Sequence, residues 1–336
     1  MNKSIFICVF LLGNQLLSQV SSSHSNDMSK EHYEFLERVD QLFLSNAMDS
    51  IDALLTQAES HLSSQAMSNI VYQAHIASKR GHYNFRKGAY EDAAKSFTKT
   101  LSFFESDSLR FHKDLSQAMD DLGACYDYLG KYHQARDYFE ESLKIKMRII
   151  PIDSTSLVSS FINLGSNQLY IGNYQESEAY FIKGLELYNY SEERKDLDVL
   201  LNMNIGVANN IVGRYSKALR YLDIALQKSI TYYGPDNSAL SRIYMNKSNA
   251  LIFIGRIDDA ILHLKKGLEL RIQHYGNKHV SLANIYGNIG RAYASKRRYK
   301  EALHYLELCR SINEENFGYS HPSTLVANHN IATNYC

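Results

Sequence analysis

The chain has 336 residues, and its 36 lysines and arginines equal its 36 aspartates and glutamates in number, so the formal net charge is zero. A neutral chain creates no long-range field that attracts DNA, RNA or an anionic membrane surface, and we expect no nucleic-acid partner. Only three prolines occur, and this composition favours helices.

The first residues have the pattern of a secretory signal peptide. Lys3 provides a positive charge, residues 5–13 are apolar, and a polar, serine-rich stretch continues to Ser23. The apolar stretch is shorter than the about 20 residues that span a bilayer. We predict that residues 1–23 are a signal peptide and that the mature chain is exported, to the periplasm or the extracellular space. An uncleaved segment that anchors the chain in a membrane is the alternative.

Two amphipathic helical patterns follow, without the glycines that mark the rest of the chain. Their apolar residues recur at helical spacing, first at Leu36, Val39, Leu42 and Phe43 and then at Ile51, Leu54, Leu55 and Ala58. We interpret residues 27–73 as a divergent N-terminal helical repeat or cap.

Glycines then recur along the chain at a fixed period. They stand at Gly81, Gly123, Gly165, Gly206 and Gly290, with Ser248 and Ala332 in the same register, at steps of 42 residues and once 41. A second glycine follows seven residues after the first, at Gly88, Gly130, Gly172, Gly213 and Gly255. A fixed period of this size predicts an array of repeats that stack on one another.

Each repeat has the pattern of a helix, a turn and a second helix. The first glycine lies inside the first helix, where glycine costs up to about 1 kcal/mol relative to alanine. We therefore expect the second helix to approach closely at this point. The second glycine ends the first helix, where a left-handed backbone suits a residue without a Cβ atom.

The residues inside the repeat resemble the tetratricopeptide repeat. Leu-Gly-x-x-Tyr and then Gly-x-Tyr-x-x-Ala-x-x-x-Phe are present at Leu122, Gly123, Tyr126, Gly130, Tyr132, Ala135 and Phe139. The resemblance implies an all-α fold, a right-handed superhelical solenoid of antiparallel helix pairs over residues 74–336. Repeats would start near residues 74, 116, 158, 199, 241 and 283, with a partial repeat at 325.

The junctions between repeats give a more specific resemblance. Residues 275–279, Tyr-Gly-Asn-Lys-His, and residues 317–322, Phe-Gly-Tyr-Ser-His-Pro, are similar to the links of kinesin light chain-type repeats. Arrays of this kind behind a signal peptide are similar to the tetratricopeptide regions of secreted bacterial CHAT-domain proteins. Two repeats depart from the pattern, because Lys247 and Ser248 replace Leu-Gly and Arg297 replaces the turn glycine. We expect less regular packing there.

An asparagine stands two residues before the first glycine position in five successive repeats, at Asn163, Asn204, Asn246, Asn288 and Asn330. We call this set the asparagine ladder. In tetratricopeptide arrays the matching position resembles a concave-groove site that holds the main chain of a bound peptide. An amide suits this task because it offers both a donor and an acceptor.

Further residues of the groove follow from the same resemblance. Met203, Met245 and Arg242 join the ladder as peptide-binding candidates, and Asp120 and Asp127 provide a charged entrance. The alternative is that the ladder forms hydrogen bonds between helices and touches no ligand.

Signals of catalysis are weak. We find neither a phosphate-binding loop nor a nucleophile elbow in the sequence, and the histidines lack the spacing and partners of a zinc site. We therefore expect no enzymatic activity, no metal and no cofactor. Cys125 and Cys309 stand at buried repeat positions too far apart to form a disulfide bond, and we expect both to be free core thiols.

These patterns predict a non-enzymatic scaffold that binds a protein or peptide in its concave groove. The sequence stops part-way through a seventh repeat, whereas a solenoid normally needs a polar terminal cap. The alternative is therefore an N-terminal regulatory or interaction fragment of a larger enzyme, such as a CHAT caspase-like peptidase or a sensor histidine kinase. Self-association through the uncapped C-terminal end is a further possibility.

Overall fold

The computed structural model describes residues 30–64, 70–105, 112–149, 153–188 and 194–334. Regular secondary structure in these ranges is entirely helical, which confirms the predicted all-α fold. The predicted signal peptide and Cys336 lie outside the described residues. The helices group into two compact units, an N-terminal unit that ends at Asn173 and a C-terminal unit that begins at Tyr174.

The N-terminal unit contains the first seven helices. They are α1 (Lys30–Leu44), α2 (Met48–Ser64), α3 (Ile70–Arg86), α4 (Tyr90–Phe104), α5 (His112–Tyr128), α6 (Tyr132–Lys146) and α7 (Ser154–Ile171). Helices α3 and α4 form one pair and α5 and α6 the next, while α1 and α2 pack against α3. The two apolar runs predicted before the glycines form α1 and α2, and Leu36, Phe43 and Ile51 are among their buried residues.

The C-terminal unit contains eight helices in its described residues. They are α8 (Tyr174–Leu187), α9 (Lys195–Ile211), α10 (Tyr215–Tyr233), α11 (Leu240–Phe253), α12 (Ile257–Tyr275), α13 (Leu282–Ser295), α14 (Tyr299–Phe317) and α15 (Pro322–Asn334). The pairs are α9 with α10, α11 with α12, and α13 with α14. The first helices of successive pairs also contact each other, as α9 does α11. In each unit by itself, we call the side lined by its first helices the first-helix face of that unit; these helices are α3, α5 and α7 in the N-terminal unit and α9, α11, α13 and α15 in the C-terminal unit.

In four repeats, the first glycine meets a bulky side chain of the second helix. A Cβ atom on Gly206 would lie 2.6 Å from Leu222 Cγ, and one on Gly123 would lie 2.7 Å from Phe139 Cε1. Carbon atoms pack best at about 3.5–4.0 Å, so only glycine leaves room for these side chains. The close approach predicted from the sequence is confirmed.

The two departures from the repeat pattern are accommodated. Arg297 adopts φ 58°, in the same left-handed region as Gly255 at φ 81°, so the turn keeps its backbone conformation. Ser248 Oγ donates a hydrogen bond to the Tyr244 carbonyl oxygen at 2.7 Å and lies 3.0 Å from the Ala260 carbonyl oxygen on α12. The hydroxyl therefore connects the two helices at the position where other repeats have glycine.

Histidines of the junctions cap the helices that follow them. The Nδ1 atom of His321 lies 3.2 Å from the amide nitrogen of Ser323, and His279 Nδ1 lies 3.2 Å from that of Ser281. The His321 ring stacks on Phe317 with centroids 4.5 Å apart. Structural contacts thus explain these histidines. No described helix combines the length and the apolar content needed to cross a bilayer.

We predict that Gly206→Ala lowers the free energy of unfolding by about 1–2 kcal/mol, because the clash with Leu222 outweighs the higher helix propensity of alanine. Gly287→Ala is the matched control, since its Cβ atom would meet Cys309 Sγ at an ordinary 3.5 Å, and it should stabilise the chain by up to about 1 kcal/mol. Urea unfolding followed by circular dichroism measures both. Equal effects of the two substitutions would contradict the packing argument.

Candidate functional site

The asparagine ladder lies on first helices, as predicted, but its members differ in environment. Asn163 belongs to α7 of the N-terminal unit, whereas the other four lie on first helices of the C-terminal unit. Asn204 is 0% exposed and Asn246 is 6% exposed, while Asn163, Asn288 and Asn330 are half-buried. The structure therefore distinguishes two buried central amides from three more accessible ones.

The two buried amides have unmet hydrogen-bonding capacity. Neither Nδ2 nor Oδ1 of Asn204 has a hydrogen-bond partner in the described part of the chain, and the same holds for Nδ2 of Asn246. Met203 and Met245 precede them and are buried, and Arg242 is half-buried one turn before Asn246. A buried amide without a partner costs about 1–3 kcal/mol. The two amide nitrogens therefore lack acceptors and the Asn204 oxygen lacks a donor, and a ligand could provide both.

Other asparagines supply hydrogen bonds between helices. Asn210 Nδ2 donates to the Asn246 carbonyl oxygen at 2.9 Å, which joins α9 to α11. Asn209 Nδ2 donates to Glu178 Oε1 of α8 at 2.7 Å. Within the ladder, Asn288 Oδ1 accepts from Arg291 of its own helix. Sequence reasoning did not assign a bridging role to Asn210, because the neighbouring repeats have Leu169 and Ile252 at its position.

The carboxylate of Glu178, on α8, interacts with three side chains. Besides Asn209, Lys217 Nζ lies 2.7 Å and Arg214 Nη1 3.2 Å from its carboxylate. Burial alone would raise the pKa of Glu178, but the hydrogen bonds from Lys217 and Asn209 outweigh burial and lower that pKa. The carboxylate is thus charged and satisfied, unlike the amide of Asn204.

In the N-terminal unit, charged groups of α3 and α5 pair with charged groups of neighbouring helices. Lys79 Nζ, on a residue 1% exposed, lies 2.5 Å from Asp40 Oδ1 of α1. Burial lowers the pKa of Lys79 and raises the pKa of Asp40, although each charge opposes the shift of the other. Lys146 pairs with Asp120 and donates to Ser160 Oγ at 2.9 Å. Asp120 is therefore a buried partner of a lysine, and the open charged entrance expected from the sequence is wrong at this residue.

A neutral histidine and a carboxyl group lie side by side between α3 and α5. His82 Nε2 is 3.5 Å from Asp121 Oδ2. Burial lowers the pKa of His82 to about 3, and burial together with the neighbouring Asp120 raises the pKa of Asp121 to about 8. At neutral pH the carboxyl group keeps its proton and the imidazole is uncharged. In the described ranges, no group of three or more His, Cys, Asp or Glu side chains is placed to hold a metal ion.

Asp127 is also buried, in the last turn of α5. It is 5% exposed, and its Oδ1 accepts a hydrogen bond of 2.7 Å from Asn167 Nδ2 of α7. The same Nδ2 donates to the Tyr132 carbonyl oxygen at 2.8 Å. Burial raises the pKa of Asp127 to about 8, and the hydrogen bond from Asn167 only partly offsets this effect. Asp127, like Asp120, is thus enclosed and does not form an open entrance.

The two predicted core thiols are present. Cys125 and Cys309 are buried and free. Burial raises the pKa of Cys125 far above its usual range and that of Cys309 to about 11. Neither thiol is therefore activated as a nucleophile.

We predict that Asp127→Asn stabilises the chain increasingly as the pH rises. The pKa of Asp127 is raised from 3.8 to about 8, so its stabilising contribution is complete below pH 4 and is lost between about pH 4 and 8. The variant has no titrating group at this position. Its free energy of unfolding relative to that of the wild type should therefore rise between about pH 4 and 8 and then stay constant. Urea unfolding at pH 4, 6, 8 and 9 measures it. Asp137→Asn, at a side chain 66% exposed, is the control; parallel pH profiles of the wild type and Asp127→Asn would contradict the prediction.

We predict opposite effects on stability at two buried asparagines of α9. Asn209→Ala breaks a bond to Glu178 and should lower the free energy of unfolding by about 1–3 kcal/mol. Asn204→Leu replaces an unsatisfied amide by an apolar group of similar size and should leave that energy unchanged or raise it. Thermal and urea unfolding of both variants provide the comparison. A loss at Asn204→Leu as large as that at Asn209→Ala would show that Asn204 is a structural residue.

Comparisons with known proteins agree with this architecture. Models of the tetratricopeptide repeat match residues 72–148, 196–273 and 275–336, and a further model of the same description matches residues 158–190. No curated protein sequence matches the chain.

Several solved structures share the fold. A tetratricopeptide repeat protein from Parabacteroides merdae has a TM-score of 0.60 at 15% identity, over 92% of this chain and 100% of that one. The apo quorum sensor NprR from B. thuringiensis has a TM-score of 0.59 at 12% identity, over 84% and 87% of the two chains. A kinesin light chain-like repeat protein from Podosopora anserina has a TM-score of 0.51 at 16% identity, over 59% and 94%.

At these identities the structural likeness shows the fold alone. The predicted similarity to CHAT-domain proteins stays a prediction. The family models, by contrast, match more than half of the residues, and the helix pairs with their glycine contacts explain why. The chain belongs to the tetratricopeptide repeat family.

Proposed function

We propose that the first-helix face of the C-terminal unit binds an extended segment of a partner protein, without catalysis, and that Asn204 and Asn246 hydrogen-bond to the main chain of that segment. The observation that supports this proposal is the pair of buried amides with unmet donors and acceptors, at equivalent positions of successive repeats. An extended main chain offers one N–H and one C=O at each residue. Its chemistry therefore complements these amides whatever the side chains of the partner.

The surroundings of the two amides suit a variable ligand. Met203 and Met245 each precede a ladder asparagine and are buried, and methionine adapts its shape to neighbouring groups more readily than branched residues do. Because Asn204 is closed off from solvent, a ligand must displace the side chains that cover it. Hydrogen bonds between helices come from Asn209 and Asn210, which leaves the amide of Asn204 available for a ligand.

We also propose that the partner is met outside the cytoplasm. This location rests on the signal-peptide pattern of residues 1–23. Expression of the full chain followed by cell fractionation, with a version that lacks residues 1–23 as control, tests it. Equal distribution of the two versions in the cytoplasmic fraction would contradict an exported location.

We predict that the double variant Asn204→Leu/Asn246→Leu loses peptide binding while it stays folded. The probe is a phage-displayed library of random dodecapeptides, selected on the wild-type chain, from which enriched peptides are synthesised and titrated by fluorescence anisotropy. Loss of two or more hydrogen bonds should weaken the Kd by at least about tenfold.

Asn277→Ala, at an exposed junction residue, is the matched control and should bind like the wild type. Circular dichroism confirms that every variant keeps its helicity. Enriched peptides that bind the double variant with unchanged affinity would exclude the two asparagines from the site, and an ordered water would then be the simplest partner of Asn204. Failure of the selection to enrich any peptide would argue against the groove itself.

A further inference from the structure

Buried polar atoms without a hydrogen-bond partner occur on first helices of both units. In the C-terminal unit they include the donors of Asn204 and Asn246 together with several amide oxygens of α9. On α5 and α7 of the N-terminal unit, the buried atoms without a hydrogen-bond partner among the described residues include Asp120 Oδ1, Asp127 Oδ2 and Asn167 Oδ1. All three are oxygen acceptors, so their complement is a group that only donates hydrogen bonds.

Asp127 and Asn167 hold two of these acceptors next to each other. Asn167 is 0% exposed, and its Nδ2 is fully used by Asp127 Oδ1 and the Tyr132 carbonyl oxygen. The amide is thereby fixed with its oxygen unpaired, and the second oxygen of Asp127 is unpaired too. Two acceptors on two side chains that share a 2.7 Å hydrogen bond can receive two N–H groups from one planar ligand group.

No described cation serves this pair. Lys79 is bound by Asp40, and Lys146 by Asp120 and Ser160. Burial raises the pKa of Asp127, and the hydrogen bond from Asn167 lowers it. When a cation enters beside Asp127, the carboxyl group releases its proton to solvent and both of its oxygens become acceptors, and the attraction between the two charges offsets part of the cost of desolvating them.

We propose that Asp127 and Asn167 bind the guanidinium group of an arginine on a partner protein, which displaces the side chains that enclose these two residues in the free chain. Guanidinium fits because it is planar, presents paired N–H donors that match a carboxylate, and is more weakly hydrated than an ammonium group. Tyr128 follows Asp127 directly, is 39% exposed, and stacks on Tyr90 with ring centroids 4.6 Å apart. These rings form an aromatic rim of the kind on which guanidinium groups stack. This site lies in the N-terminal unit and does not depend on the function proposed for Asn204 and Asn246.

The test uses N-acetyl-Ala-Arg-Ala-amide as probe and the matched citrulline peptide, which keeps the shape but lacks the charge. Each is titrated into the full mature chain up to millimolar concentration, with NMR shifts of the Asn167 side-chain amide as readout. We expect the arginine peptide to shift this signal saturably and to bind at least tenfold more tightly than the citrulline peptide. Equal affinity for both peptides, or no saturable shift with arginine, would overturn the proposal.

Variants locate the site. Asp127→Asn should weaken binding of the arginine peptide at least tenfold, whereas Asp137→Asn, at an exposed residue of α6, should bind it like the wild type. If Asp127→Asn does not fold, Asn167→Ala replaces it, with loss of affinity read from backbone shifts of α5. Unchanged affinity in the folded variant would overturn the proposal, as would competitive displacement of the peptide by MgCl2 at constant ionic strength, which would indicate a metal site.

One further variant distinguishes the arginine site from the peptide-binding site proposed at Asn204 and Asn246. The double variant Asn204→Leu/Asn246→Leu should bind the arginine peptide with unchanged affinity, because its substitutions lie in the other unit. A parallel loss in this variant would show that both observations report a single groove, and the independent arginine site would then be wrong.

Discussion

Four repeats depend on one contact, between a glycine of the first helix and a bulky side chain of the second. Gly81 meets Phe97, Gly123 meets Phe139, Gly206 meets Leu222 and Gly290 meets Leu306, and in each case a Cβ atom would lie under 3.0 Å from the neighbouring side chain. The helices of a pair approach so closely only because this atom is absent. The spacing of the pairs, and with it the position of every residue on the first-helix face, follows from this contact.

The first-helix face acquires its polar character from links between repeats. Long side chains reach from one repeat to another, as Lys79 does to Asp40 and Asn210 does to the main chain at Asn246. Burial makes each of these bonds strong and each missing bond costly. Buried polar atoms without a hydrogen-bond partner nevertheless remain in both units, among them those of Asn204 and of the Asp127–Asn167 pair.

Much of the fold could be predicted from the sequence because its determinants recur at a fixed distance. The glycine positions, the helix pairs and the two free thiols follow from periodicity alone. The asparagine ladder was placed on the correct helices for the same reason. Its burial could not be predicted, because periodicity gives the face on which Asn204 lies and not the side chains that cover it. The ion pair between Asp120 and Lys146 could not be predicted either, because Lys146 follows Asp120 by 26 residues and lies on the second helix of the pair.

The glycine contact described above lies within a single hairpin, because the bulky residue follows the glycine by sixteen positions. A stretch of DNA that encodes one such hairpin therefore encodes both residues of this packing contact. A copy inserted elsewhere in the gene would carry the complete contact with it. The hydrogen bonds and ion pairs between repeats are not duplicated as a unit, because each of them joins residues of two different hairpins. Duplication can thus lengthen such an array while the polar contacts of each new hairpin diverge.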